Sequence, residues 1–251
     1  MLNIEIISCL SDNYSYLLED KESNIVGIID PSDFDTCNKI IKKKYNKLDY
    51  ILNTHHHFDH VGGNVKLKEK YNAKVLGFEL DKDRIPGIDI ILKDKQNFKL
   101  GHSSFEVIFI PGHTKGHIAF YFKDEKIVFT GDTLFSLGCG KVFEGTYEQM
   151  FSSLNKLKNL PTDTKIYCGH EYTKKNLEFC LEYDSNNELL KKKTNWINSK
   201  IESDYPTIPI TIGEEKKTNI FLRCDEPTIR NALNLKNASE LEIFSKLRDL
   251  K

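Results

Sequence analysis

The stretch Tyr50-Ile-Leu-Asn-Thr-His-His-His-Phe-Asp-His60 decides how the rest of the chain is read. Tyr50–Leu52 is a short β-like run, and His55, His57, Asp59 and His60 follow it closely. In an extended backbone, residues two apart project to the same side. His55 and His57 can therefore grip one ion together, while His56 points away. Asp59 and His60 come after the chain turns and can face a second ion nearby. Gly62-Gly63 allows a tight bend before a helix over 65–71. So many polar groups at one strand end are costly to bury, and metal offsets that cost more readily than packing does.

Outward from this stretch, further ligand-type residues fall at the ends of later predicted strands. His113 follows a run over 105–110, Asp132 follows 127–130, and His170 follows 165–168. Each sits beside a glycine, in Pro111-Gly112-His113, Gly131-Asp132 and Gly169-His170. Strand ends converging on one rim of a sheet sandwich would bring all of them together. Imidazole with carboxylate suits zinc or another first-row divalent ion, with iron and manganese as alternatives. His102 reads as a surface turn residue. His117, in Gly112-His-Thr-Lys-Gly-His117, either orients a ligand through a hydrogen bond or is simply structural.

Runs over 3–8, 14–18, 25–29, 75–77 and 118–122 add to the strands already named. Phe34, Cys37, Ile40 and Ile41 share one helical face behind a cap at Ser32 or Asp33. Tyr147, Met150, Phe151, Leu154 and Leu157 do the same behind Thr146. After Cys168 the strands give way to helical stretches at 173–183, 186–203, 226–233 and 238–250, with Tyr205–Glu214 as a punctuated link. The expectation is a mixed α/β fold with a catalytic domain over 1–168 and a helical, substrate-binding domain over 169–251.

Composition narrows the function. With 36 basic and 37 acidic residues the net charge is −1, so the excess of positive charge that nucleic-acid binding needs is absent. The lysine runs 42–44 and 191–193 read as solvated helix faces. No apolar run approaches membrane-spanning length and the first residues lack a secretion signal, so a cytoplasmic protein with no membrane partner is expected. The six scattered cysteines include no Cys-x-x-Cys pair and read as free thiols packed like small apolar residues.

His55-x-His57-x-Asp59-His60, with Pro111-Gly-His-Thr-Lys-Gly-His117, Thr130-Gly-Asp-Thr-Leu-Phe135 and Cys168-Gly-His-Glu-Tyr172, resembles the metallo-β-lactamase superfamily. That resemblance implies an αββα sandwich. It also implies two metal ions per chain: His55, His57 and His113 on the first, Asp59, His60 and His170 on the second, and Asp132 bridging. The segments Thr133–Thr146, Cys168–Thr173 and Pro206–Arg223 are in turn similar to glyoxalase II, the hydroxyacylglutathione hydrolases, nearly end to end. This implies a monomer that hydrolyses S-(2-hydroxyacyl)glutathione, foremost S-D-lactoylglutathione, to glutathione and D-lactate, the second step of methylglyoxal detoxification. A metal-activated hydroxide would attack, with Asp59 and Asp132 as catalytic carboxylates.

Lys141, in Gly140-Lys-Val-Phe-Glu-Gly145, with Tyr172, Arg248 and Lys251, would hold the glutathione. Phe143 stands at a substrate-facing position where relatives place tyrosine, and Ile210 and Ile220 stand where serine and proline are common. Two rivals are weighed against this reading. A mononuclear-iron glutathione-persulfide dioxygenase shares the first-metal ligands and lacks the helical tail. A non-catalytic binding module would be expected to lose ligands.

Overall fold

The computed structural model describes residues 2–251. It divides into two compact units. The first comprises the chain up to Phe109 together with Thr114–Gly131, and the second comprises Ile110–His113 together with Asp132–Lys251.

The first unit opens with β1 (Leu2–Cys9), β2 (Asn13–Asp20) and β3 (Ile25–Ile29), then α1 (Phe34–Lys44). It continues with β4 (Tyr50–Leu52), α2 (Phe58–Val61), α3 (Asn64–Tyr71), β5 (Lys74–Phe78) and β6 (Ile88–Leu92). These six strands form one sheet in sequence order, antiparallel up to β3 and parallel from β3 to β6. Strand alternation explains its two faces. Leu17, Ile28, Ile51 and Val75 are register partners in a row across the sheet. They join Cys37 and Ile41 of α1 and Leu67 of α3 in one buried cluster. The neighbouring row, Tyr16, Ile29, Leu52 and Leu76, lies on the opposite face.

That opposite face meets β7 (Asn97–Leu100), β8 (Ser103–Phe109), β9 (Ile118–Phe122) and β10 (Ile127–Gly131), which pair antiparallel in turn. Aromatic contacts join the two layers: Tyr16 with Phe129 at 5.1 Å, Tyr50 with Phe98 at 5.5 Å and Phe78 with Phe109 at 4.8 Å between ring centroids. Of these rings Tyr16, Phe78 and Phe129 are buried, and each contributes about 1.5–3 kcal/mol. A sheet covered on both faces therefore needs the near-continuous apolar runs seen in β3, β4 and β5. β6 and β7 went unread in the sequence because charged residues interrupt their short apolar runs.

The second unit contains the hairpin β11 (Leu134–Phe135) and β12 (Gly138–Cys139), α4 (Tyr147–Lys158), and the antiparallel pair β13 (Lys165–Cys168) and β14 (Ile210–Thr211). Its other helices are α5 (Thr173–Tyr183), α6 (Glu188–Glu202), α7 (Ile212–Thr218), α8 (Pro227–Ala232) and α9 (Glu240–Leu250). α4 packs against α7 and α9, which explains why it belongs with the helices. Asp33 caps α1 through Thr36, and Thr146 caps α4 in a reciprocal box with Gln149. α7, inside the stretch read as a punctuated link, starts with the same device: Thr211 and Glu214 cap each other's backbone.

Candidate metal centre

β3, β4 and β5 lie parallel and adjacent, so the residues following them arrive at the same sheet edge. These are Asp30, the run Asn53–His60, and a single 3₁₀ turn, Glu79–Asp81. Asp30 takes a left-handed φ of 48°, which aspartate tolerates better than most residues. Its buried carboxylate accepts the Thr54 N–H at 2.8 Å and the Thr54 hydroxyl at 2.6 Å. His60 Nδ1 lies 3.0 Å from the same Oδ2. An ionised carboxylate only accepts, so Nδ1 carries the proton and the His60 lone pair is on Nε2. The Thr54 oxygen, having given its hydrogen to Asp30, accepts from His55 Nδ1 at 3.0 Å. The His55 lone pair is then on Nε2 as well.

The rings of His55 and His60 stand 4.2 Å apart and those of His55 and His57 4.7 Å apart. Asp59 Oδ2 is 3.6 Å from His60 Nε2 and accepts from the Asn13 amide at 2.9 Å. His56 turns elsewhere: Nδ1 lies 3.2 Å from Asp81, itself fully buried, and Nε2 lies 3.2 Å from Arg84. His117 stacks on the His55 ring at 4.6 Å and 21°, so it helps hold a candidate ligand in place. Gly62 and Gly63 both have ordinary helical φ. Glycine is required at 62 because a Cβ there would come 2.4 Å from the Ser32 carbonyl oxygen. Close approach, rather than the tight bend expected from sequence, is the reason for the pair.

In the second unit His113, Asp132 and His170 meet. His113 Nε2 is 3.4 Å and His170 Nε2 3.2 Å from Asp132 Oδ2. The Lys141 carbonyl is 2.8 Å from His113 Nδ1 and can only accept, so the proton is on Nδ1 and the lone pair on Nε2. A ring lone pair turned toward a carboxylate oxygen is repulsive unless a cation joins them. This donor set therefore fits a divalent metal ion.

The segment carrying His113 runs beside the Lys141 loop, with Phe143 N–H donating to His113 O and Gly145 N–H to Gly112 O. The Lys141 side chain is exposed, and the exposed Phe143 ring lies 5.2 Å from His113. Tyr172 stacks on His170 at 4.7 Å and 3°.

Four side chains from the helices hold the backbone of the β11–β12 hairpin. Asn176 donates to Ser136 O at 2.8 Å, and Asn219 to Gly138 O at 3.1 Å. Arg248 donates to Cys139 O at 2.9 Å, and Glu215 accepts the Leu137 N–H at 2.8 Å. Burial pushes the Glu215 carboxyl up, and Lys193 at 3.2 Å opposes that. Arg248 is only 7% exposed. Lys251 bonds Asn176 Oδ1 and lies over the Phe179 and Phe221 rings, and burial lowers its ammonium to about 8.

Asp30, Asp81, Asn13 and Glu215 were not singled out in the sequence. Only Asp30 had a readable signal: it opens Asp30-Pro-Ser-Asp33 at a strand end, as the His55 cluster does.

Residues 11–170 match the family model for the metallo-β-lactamase superfamily, and 171–251 match that for the hydroxyacylglutathione hydrolase C-terminus. A protein named hydroxyacylglutathione hydrolase from Pelagibacter ubique is 55% identical over 250 residues, covering 100% of this chain and 99% of the relative. One from Methylococcus capsulatus is 42% identical, covering 99% of this chain and 97% of the relative. Among solved structures, ETHE1 from Myxococcus xanthus is similar in fold, with a TM-score of 0.69 at 22% identity, covering 99% of this chain and 91% of that one. TTHA1623 in a di-iron-bound form gives 0.62 at 25% identity, covering 88% of this chain and all of that one. The chain belongs to the metallo-β-lactamase superfamily and, within it, to the hydroxyacylglutathione hydrolases.

Proposed function

We propose that the chain hydrolyses the thioester of S-(2-hydroxyacyl)glutathione, foremost S-D-lactoylglutathione, releasing glutathione and the 2-hydroxy acid. The observation that carries this reading is the likeness, end to end and including the helical tail, to proteins named hydroxyacylglutathione hydrolase. In this reading the two ligand groups serve one centre with two divalent ions. His55, His57 and His113 hold the first, Asp59, His60 and His170 the second, and Asp132 both. Zinc is the proposed metal from the donor types. The di-iron relative makes iron its main competitor, with manganese third.

When bound, two such ions supply Lewis acidity and bring the pKa of water toward about 7. The chain's own residues do the rest. Asp30 and the Lys141 carbonyl hold their histidines in the tautomer whose Nε2 can ligate. Asp59, oriented by Asn13, accepts a hydrogen bond from the attacking water. Asp132 keeps two imidazoles facing one carboxylate oxygen. The leaving thiolate has a parent pKa of about 8.5 and departs without a strong general acid.

Lys141, with its exposed side chain, is the cation assigned to the glycine carboxylate of glutathione. Tyr172 and Phe143 flank the same end. Arg248 gives one N–H to Cys139 and offers its others to the substrate, with Lys251 beside it. Residues 1–168 are assigned to catalysis and 169–251 to substrate binding, in a monomer. No helix among the described residues is long and apolar enough to cross a membrane. All six cysteines are free thiols, which supports a reducing, cytoplasmic location.

The test is hydrolysis of a series of acylglutathiones with and without chelator, alongside metal analysis. About two ions per chain with chelator-sensitive turnover is expected. One iron with persulfide oxidation would instead identify a dioxygenase. A metal-free, inert chain would be a binding module.

A further inference from the structure

Two thiols with no part in the proposed hydrolysis face each other inside the first unit. Cys9 ends β1, Cys37 lies in the first turns of α1, and their sulfurs are 3.8 Å apart across 28 residues of sequence. Both are buried, at 3% and 0% exposure, within the cluster between α1 and the first sheet. We propose that Cys9 and Cys37 are a dithiol–disulfide couple, a redox modification site that reacts with low-molecular-weight disulfides.

The geometry supports a bond between these two sulfurs. A disulfide needs about 2.05 Å, so the sulfurs must close roughly 1.8 Å, a distance within reach of side-chain rotation and a small shift of α1. They also differ in role. Cys9 is followed by Leu10, 57% exposed at the turn into β2, so opening that turn uncovers Cys9 first. Cys37 stays enclosed by α1 and the sheet. The charges agree with this order. The hydrogen bond from Cys37 lowers the Cys9 thiol against the opposing effect of burial, whereas the same bond and burial push Cys37 well up. A thiolate forms more readily at Cys9, and the thiolate is the nucleophile.

The chemistry balances with one co-reactant. The Cys9 thiol loses its proton and attacks one sulfur of a small disulfide RSSR. This forms Cys9–S–SR and expels RS⁻, which takes up that proton. The Cys37 thiol then loses its proton and attacks the Cys9 sulfur, forming the internal bond and expelling a second RS⁻, which leaves as RSH. The protein gives up two electrons and RSSR becomes two RSH. The Cys9 sulfur also lies 3.5 Å from the Ser15 hydroxyl, which donates to the Asp30 carbonyl at 2.6 Å. Drawing Cys9 toward Cys37 lengthens its contact with this serine, which also accepts the Ser32 N–H at 3.1 Å.

The test is to equilibrate the full chain with glutathione disulfide, trap remaining thiols by alkylation, and map peptides by mass spectrometry. One bond between the Cys9 and Cys37 peptides is expected, reversed by excess thiol. The melting temperature of the oxidised chain should rise by roughly 5–10 °C, since a 28-residue separation is now closed in the unfolded state. Cys37→Ser should accumulate a mixed disulfide on Cys9, whereas Cys9→Ser should leave Cys37 unmodified. The wild-type map stands on its own if either variant fails to fold. Recovery of only alkylated Cys9 and Cys37 after prolonged oxidation overturns the proposal. So does a bond joining either of them to Cys139, Cys168, Cys180 or Cys224, or a wild-type Cys9 that stops at the mixed disulfide.

Discussion

The ligands in the first unit and those in the second are held by different means. In the first, three adjacent parallel strands end together, and a single carboxylate, Asp30, fixes Thr54, His55 and His60 within a few ångströms. The sequence around the cluster largely makes its own geometry. In the second, His113, Asp132 and His170 come from three separate segments. The hairpin after Asp132 depends on Asn176, Glu215, Asn219 and Arg248, far away along the chain. One group is positioned by the sheet it follows. The other leads into a hairpin whose backbone is held from distant helical segments.

The sharpest way to break the contrast is Asp132→Ala. It should cut turnover by more than about 10³-fold and lower metal content, because one carboxylate faces two imidazoles. Near-normal turnover with two ions retained would place the shared ligand elsewhere. Glu215→Ala comes next. It strands Lys193 and the Leu137 N–H in a buried setting, a loss of roughly 3–5 kcal/mol, or a melting-temperature drop on the order of 10 °C. Calorimetry showing a drop below about 2 °C would mean that the hairpin does not need its distant supports.

Lys141→Ala separates the side chain from the backbone of the same residue. Its carbonyl still accepts from His113, so metal content and kcat should hold. KM for an acylglutathione should rise roughly 10- to 100-fold, and by less on a thioester without the glycine carboxylate. A fall in kcat at constant KM would show that the lysine supports the metal loop instead. Asp30→Ala, in the locally built group, should weaken metal affinity about 10- to 100-fold by releasing the His60 tautomer. Unchanged affinity by competitive chelation would count against the tautomer argument.

The smallest effect lies outside both groups, at Asp20. Burial alone would raise its carboxyl, but the N–H groups of Ser103, Ser23 and Glu22 bring it down to about 2. A pKa below the unfolded value of about 3.9 adds stability that is full above that pH and is lost as pH falls toward about 2. Asp20→Asn should flatten the melting-temperature profile across that interval and cost only ~2–4 °C at neutral pH. An unaltered acid slope would assign the titration to another group.

Legibility in the sequence followed the same divide. The run from Tyr50 to His60 could be read because strand alternation and a turn put ligand-type residues close in sequence, and the structure turns His56 toward Asp81 and Arg84 as alternation requires. Asp30 escaped notice because its partners are 24 and 30 positions away, though its strand-end setting was visible. Glu215 had no such signal. In sequence it is one of several charges on a short helix, and only packing shows it fully buried beneath the hairpin. Arg248 and Lys251 stand in the sequence as cations for the substrate, and nothing there shows that α9 is capped by Ser239 and has Ile243, Phe244 and Leu247 buried. β14 and α7 were hidden behind prolines, although the Thr211–Glu214 capping pattern was on the page.

The bond from Arg248 to the Cys139 carbonyl spans 109 residues, and this has a consequence in time. The hydrogen bonds that Asp30, His55 and Asp59 make at the sheet edge span at most 46 positions, so this cluster can assemble early in synthesis. The hairpin after Asp132 cannot acquire its last support until α9 has been made, because contacts this distant close only after the intervening chain is available. During that interval the sheet-edge residues have their hydrogen-bond partners and the hairpin lacks one of its own. The His55 side is then in place before the His113 side, and the order of translation becomes an order of assembly.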